Sequence, residues 1–299
     1  MNESSPPLKV WFYTFAVVAA LLSFSIFGLE KNALKIKKSE LVEMKAHIKK
    51  TWKTNHKNQT TMLFLGSSLT GHALYNLADI KNRFNINNQK KIIFFRFAIN
   101  GLDNQILEDL QIFDYIIESP PDYLFIESNQ INIDKIGSNE KLNLLNSCLN
   151  NLISFAKNSI GIVEYKSTKI FKDTPESPLH KDNFNSDIYS QFLQRKRLVR
   201  TFSQNKKANE AYAELIKRKT KIIFLDMPRA PKLEMVWLTA NQKKELQTLL
   251  QTYHQKYGIA HWKYPYSMSN SDFTDGGHLN YKGAKKYQEW LAAQFKLLR

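Results

Sequence analysis

The chain has 299 residues, with 43 lysines and arginines against 27 aspartates and glutamates, a formal net charge of +16. An apolar share of 43% is enough to fill the core of one ordinary domain plus an appendage, which excludes disorder, a collagen repeat and a multi-span membrane protein. A single cysteine, Cys148, excludes an internal disulfide framework and a cysteine-rich zinc site, while the basic excess favours an anionic surface such as nucleic acid, phospholipid or an acidic polymer.

Residues 1–9 read as a short tail. From Val10 to Leu29 the sequence VWFYTFAVVAALLSFSIFGL carries no charge. As a helix it would be about 30 Å long and match a bilayer core, so one transmembrane helix is expected. Two other readings stand beside it: a buried core helix, and a cleaved signal peptide with Val10 to Leu22 as its apolar region and Ser23 and Ser25 at the cleavage site. Only Lys9 precedes the span, whereas Lys31, Lys35, Lys37 and Lys38 follow it, which by the positive-inside rule puts the large domain in the cytoplasm. Residues 30–58 read as a basic helix at the membrane surface or as a solvated spacer helix.

Residues 59–299 show no repeat or Pro-rich linker and read as one domain. Strands are predicted at Met62 to Leu65, Ile92 to Phe97, Tyr123 to Ile126, Ile222 to Leu225 and Ile259 to Trp262. Helices are predicted at Thr70 to Leu77, Asn104 to Glu118, Lys141 to Lys157, Lys207 to Lys219, Asn241 to Tyr257 and Tyr281 to Leu298, the last with Asn280 as its N-cap. Strand followed by helix, repeated, predicts an α/β fold with a parallel sheet covered on both faces. The stretch around 160–205, with the irregular tract Phe171 to Asn185, reads as an insertion that overhangs a site.

Chemistry concentrates at the two ends of this domain. After the first strand, LFLGSSLTGHAL breaks at Gly66 and opens a helix with Ser67 and Ser68. This turn lies at the carboxyl edge of a parallel sheet, where ligands bind, although a Ser pair there also serves as a plain helix cap. Near the other end, FTDGGHLNYKG sets Asp275 three residues before His278. A serine hydroxyl needs an imidazole to take its proton, and the imidazole needs a carboxylate to fix its tautomer, so Ser68, His278 and Asp275 form a candidate triad. Taken singly, His278 is also an ordinary helix-start histidine and Asp275 a turn residue.

With these blocks the chain resembles the SGNH hydrolases, also called the GDSL esterase and lipase family, over about residues 60–299. GSSL at Gly66 to Leu69 matches the nucleophile block and implies Ser68 as nucleophile, with Ser67 where aspartate is usual. FAINGLDNQ matches the second block and implies Gly101 as an oxyanion-hole donor beside the Ser68 N–H. ESNQ stands where the family has glycine, a variable residue, asparagine and aspartate; it implies Asn129 as the side-chain donor, with Glu127 and Gln130 departing from the pattern. DGGHLN matches the final block and implies Asp275 and His278 as the rest of the triad. The resemblance implies a three-layer α/β/α sandwich around a central parallel sheet, flavodoxin-like. It also implies an acyl-enzyme reaction on an ester, hydrolysis or O-acyl transfer, with no metal or organic cofactor. Taken residue by residue, Gly101 suits close approach of backbone to substrate or an ordinary turn, and Asn129 suits an amide donor in the cleft or a loop.

A G-S-S block behind an N-terminal span looks most like the envelope acyltransfer branch of the family. That likeness implies an acylated glycan or lipid substrate, an integral membrane acyltransferase as partner, and a catalytic domain outside the cytoplasmic membrane, periplasmic or at the cell surface. This placement runs against the lysine count, since long domains translocate largely regardless of charge. The alternatives are a catalytically silent protein holding acylated glycan in the same cleft, and a lipase or thioesterase of the same fold. His47, His56, His72, His180, His254 and His261 have no metal-ligand spacing. The basic run from Arg195 to Lys219 reads as a patch for an anionic polymer or as a solvated face; without stacking aromatics beside it, no nucleic-acid partner is expected.

Overall fold

A computed structural model of the chain describes residues 7–21, 23, 42, 46, 59–85, 91–99, 102, 104–128, 133–135, 200–202 and 204–297. The chain divides into two compact units, Met1–Val42 with Gly137–Lys169, and Glu43–Ile136 with Ile170–Arg299. In the first unit, residues 8–21 form a helix, α1, with Trp11, Phe12 and Phe15 exposed. At 1.5 Å per residue these fourteen residues span about 20 Å. Among the described residues no helix is long and apolar enough to cross a membrane, so the span expected over 10–29 is not found there; residues 22 and 24–29 lie outside the described set.

The second unit holds the α/β domain. Its strands are β1 (Gln59–Gly66), β2 (Lys91–Ala98), β3 (Tyr123–Glu127), β4 (Ile133–Lys135), β5 (Arg200–Phe202), β6 (Lys221–Asp226) and β7 (Ala260–Lys263). Its helices are α2 (Ser68–Ala73), α3 (Leu77–Asn85), α4 (Asn104–Asp109), α5 (Ile112–Glu118), α6 (Lys206–Lys217), α7 (Pro231–Val236), α8 (Ala240–Tyr257) and α9 (Tyr281–Leu297). Five strands form one parallel sheet in the order β2-β1-β3-β6-β7. This is a doubly wound order, with the strand sequence reversing at β1, and the crevice at the carboxyl ends of β1 and β3 is the place where such sheets bind ligands.

The strands are apolar on both faces because helices cover both. Met62 and Phe64 of β1, Tyr123 and Phe125 of β3 and Phe94 of β2 share a cluster with Phe84 of α3 and with Tyr287, Leu291 and Phe295 of α9. Phe64 and Phe125 stack at 4.6 Å between ring centres. On the other face Phe224 meets Tyr212 of α6 and Tyr253 of α8, and Tyr212 meets Phe113 of α5, all edge to face.

Each of the five predicted strands has its counterpart in the sheet. The single helix expected over Asn104 to Glu118 is two, because Gln111 takes a left-handed conformation (φ 52°) that no α-helix continues through. The helix expected over Thr70 to Leu77 occupies Ser68–Ala73 and stops at Leu74, after which α3 starts anew. The short antiparallel pair β4–β5 and helices α3 and α7 are additions to the sequence reading. The helix expected at Lys141 to Lys157 and the tract Phe171 to Asn185 lie outside the described residues; of the expected insertion only 200–202, in β5, and 204–205 are described.

Candidate active site

Strand β1 ends at Gly66 because nothing larger fits: a Cβ there would stand 1.9 Å from Thr70 Oγ1 and 2.6 Å from Glu127 Oε2. Ser67 then caps α2, its hydroxyl accepting from the Leu69 N–H (3.2 Å). The turn is held from beneath by Glu127 at the end of β3, which is 1% exposed. Its carboxylate accepts from the Ser67 N–H (2.7 Å), the Ser67 hydroxyl (2.9 Å) and the Thr70 hydroxyl (2.7 Å). A buried polar group is tolerated only where its hydrogen bonds are made, and these three come from the turn that presents Ser68.

Ser68 is the first residue of α2, half-buried, and its N–H makes no hydrogen bond among the described residues. Its Oγ lies 2.8 Å from His278 Nε2. His278 Nδ1 lies 2.7 Å from Asp275 Oδ2, and Asp275 Oδ1 accepts from the backbone N–H groups of Gly277 and His278, both at 2.8 Å. Burial pushes the Asp275 carboxyl up, but the hydrogen bonds from His278 and the two N–H groups outweigh it and leave its pKa at about 2. The carboxylate is therefore ionised at any ordinary pH, which fixes the His278 tautomer with Nδ1–H donating and Nε2 free to accept from Ser68.

The Asp275–His278 loop is pinned on both sides. Thr274 donates to the His278 carbonyl through its N–H (2.9 Å) and hydroxyl (3.1 Å), Phe273 bridges Leu279, and the Ala230 N–H donates to the Gly276 carbonyl (3.0 Å). Asn280, buried and at the N-cap of α9, accepts from the Gly283 N–H (3.1 Å), as its sequence position predicts. Asp272, fully buried in the preceding turn, pairs with Lys286 at 2.8 Å.

The structure thus brings Ser68, His278 and Asp275 together from opposite ends of the domain. Gly101 and Asn129 lie outside the described residues. Their neighbours are placed: the Ile99 N–H donates to the Gly66 carbonyl (2.9 Å), and Ser128, fully buried, donates to the Leu225 carbonyl (3.2 Å) and to Asp226. Two residues were missed as contributors. Glu127 figured in the sequence only as a departure from a glycine, although an acid closing the wholly apolar strand YLFIE opposite two hydroxyls at 67 and 70 is a usable signal. His72, one helical turn beyond Ser68, has its ring 4.6 Å from that of His278. Among the described residues no group of three His, Cys, Asp or Glu could hold a metal ion.

Fold and site together define an α/β protein with a Ser–His–Asp hydrogen-bond chain at the carboxyl edge of a parallel sheet. No protein-family model matches the chain, and no curated protein matches it. Among solved structures it is similar to a protein assigned as an acylhydrolase from Bacteroides fragilis (14% identity, TM-score 0.38, covering 81% of this chain and 90% of that one). It is also similar to a GDSL-like lipase from Bacteroides thetaiotaomicron (14% identity, TM-score 0.36, covering 79% and 87%). A third is a protein assigned as a platelet activating factor from Streptococcus pneumonia (16% identity, TM-score 0.33, covering 88% and 99%). With TM-scores this low, the functional reading rests on the chain's own side chains.

Proposed function

We propose that the chain is a serine esterase or O-acyltransferase of SGNH type, working through an acyl-enzyme on Ser68. The observation that carries this reading is the continuous path from Ser68 Oγ to His278 Nε2 (2.8 Å) and from His278 Nδ1 to Asp275 Oδ2 (2.7 Å). Ser68 Oγ attacks the ester carbonyl while His278 Nε2 takes its proton; the same Nε2–H is then returned to the leaving alkoxide, and Asp275 stabilises the transient imidazolium. The Ser68 N–H, with Gly101 and Asn129, donates to the oxyanion, each donor being worth about 3 to 4 kcal/mol in the transition state. In the second half-reaction water gives hydrolysis, and a sugar or polyol hydroxyl gives acyl transfer.

Turnover of a short-chain aryl ester, compared between wild type and Ser68→Ala, tests this reading. A loss of about four orders of magnitude is expected from removing a nucleophile; equal rates would leave a silent binding protein in its place. A serine-reactive phosphonate is expected to add its mass at Ser68 and nowhere else.

The proposal extends to an envelope substrate, an acylated glycan or lipid, and to a catalytic domain outside the cytoplasmic membrane, attached through 10–29. The uncharged sequence Val10 to Leu29 supports the attachment, and the outward placement follows the likeness to the envelope branch, against the lysine count. A C-terminal reporter is expected to be active outside the membrane; activity confined to the cytoplasm would overturn the placement.

A further inference from the structure

Along the same carboxyl edge, past β3, a second concavity of about 320 Å3 opens at the ends of β6 and β7. Arg229 from the loop after β6, Lys243 of α8, Lys263 at the end of β7, and Tyr264 and Tyr266 just beyond it line this cavity; Ser68, Asp275 and His278 do not. Asp226 and Lys263 are register partners, so the cavity sits where the parallel strands end, as do Gly66 and Glu127 in β1 and β3. With neighbouring strands ~4.8 Å apart, the β6–β7 end is roughly 10 to 15 Å from β1. The Ala230–Gly276 hydrogen bond ties the Arg229 loop directly to the loop that carries Asp275 and His278.

We infer that this cavity is a subsite for an acidic sugar unit, a pyranose bearing a carboxylate or phosphate. Three cations line it against two acids: Asp226 is engaged by His261 (3.1 Å) and Ser128, and Glu234 by Arg229 itself (3.8 Å), which leaves the charges of Lys243 and Lys263 to face a ligand. Lys263 has no ion-pair partner among the described residues. The Arg229 guanidinium lies over the Trp237 ring, 3.7 Å from its centroid, and is nearly buried beside Glu234, so it adds a positive wall to the cavity whose position is fixed by packing. Tyr266 is 67% exposed and braced edge-on by Tyr264 (5.4 Å), giving an apolar face with hydroxyls at its rim. That combination fits the C–H face and hydroxyls of a sugar ring. The inference rests on the esterase or acyltransferase reading only for the acyl step.

The test is calorimetric titration of the full chain in detergent with β-1,4-linked triglucuronate, glucose 6-phosphate and neutral maltotriose. At least one acidic probe is expected to bind ten or more times more tightly than maltotriose, and to weaken as salt rises from 50 to 500 mM. Lys243→Gln/Lys263→Gln is expected to weaken that probe at least tenfold, and Ser68→Ala to leave it unchanged. Binding of neither acidic probe, parity with maltotriose, or indifference to the double variant would each overturn the subsite. Because the probe comparison uses wild type, it does not depend on how the double variant folds. If Ser68→Ala retains aryl-ester turnover while triglucuronate still binds, the catalytic reading falls and the subsite stands.

Discussion

Glu127 closes an otherwise apolar strand, yet its carboxylate takes three hydrogen bonds from the turn that presents the proposed nucleophile. Glu127→Gln keeps the shape but offers one acceptor oxygen in place of two, leaving a buried donor facing an amide NH2, at a cost of about 1–3 kcal/mol. A lower melting temperature is expected, and in steady-state kinetics on the aryl ester a fall in kcat larger than any change in KM, because the variant misplaces Ser68 without touching the bound substrate. Asp275→Asn removes the charge that stabilises the imidazolium and reverses the tautomer. The expected result is a kcat loss on the order of 10^4 with the folded state retained, read by kinetics alongside circular dichroism. Recovery of full activity by this variant would remove Asp275 from the mechanism.

At the scale of elements, the position of His278 depends on how closely α9 packs on the turn before it. Gly283 makes that approach possible: a Cβ there would stand 2.2 Å from the Asp272 carbonyl oxygen and 2.9 Å from Leu279 Cδ2. The first of these is backbone, so Gly283→Ala must push the first turn of α9 away from the 270–280 loop. A destabilisation of about 1–3 kcal/mol is expected, read as a shift in the urea midpoint, together with reduced aryl-ester turnover as the loop carrying His278 moves. A variant with wild-type stability and rate would show that the helix start does not fix the imidazole.

For the whole molecule, acid is the informative perturbation. Asp226, Asp272 and Asp275 each combine burial, which raises a carboxyl, with hydrogen bonds that win and lower it: from His261 and Ser128, from Lys286 and Ser269, and from His278 and Gly277 respectively. Their folded pKa values lie below the unfolded value, so between the two the unfolded chain binds more protons. Stability is complete above pH ~4 and is lost as pH falls toward about 2, the value for Asp275. Urea midpoints are therefore expected to hold steady from pH 7 to 5 and to drop between pH 4 and 2.5, with a shallower drop in Asp275→Asn. A flat profile over that range would contradict the linkage.

The sequence by itself determined the parallel α/β sheet, because runs such as MLFL, YLFI and IIFL are short, apolar on both faces and separated by helix-length amphipathic stretches. It also marked Ser68, Asp275 and His278 as candidates, since G-S-S and D-x-x-H are local patterns with local caps and turns. The break at Gln111 was not legible, as nothing in ILEDLQIFDY forbids one continuous helix; packing chose two. Nor was the role of Glu127, or the cavity shared by Arg229, Lys243 and Lys263, because each depends on residues far apart in the chain arriving at one sheet edge. The linking of Ser68 to His278, 210 positions on, belongs to the tertiary structure as well. A side chain's type is fixed where it is coded, but its distance from a partner across the sheet is set only when β1 and α9 pack against the same core.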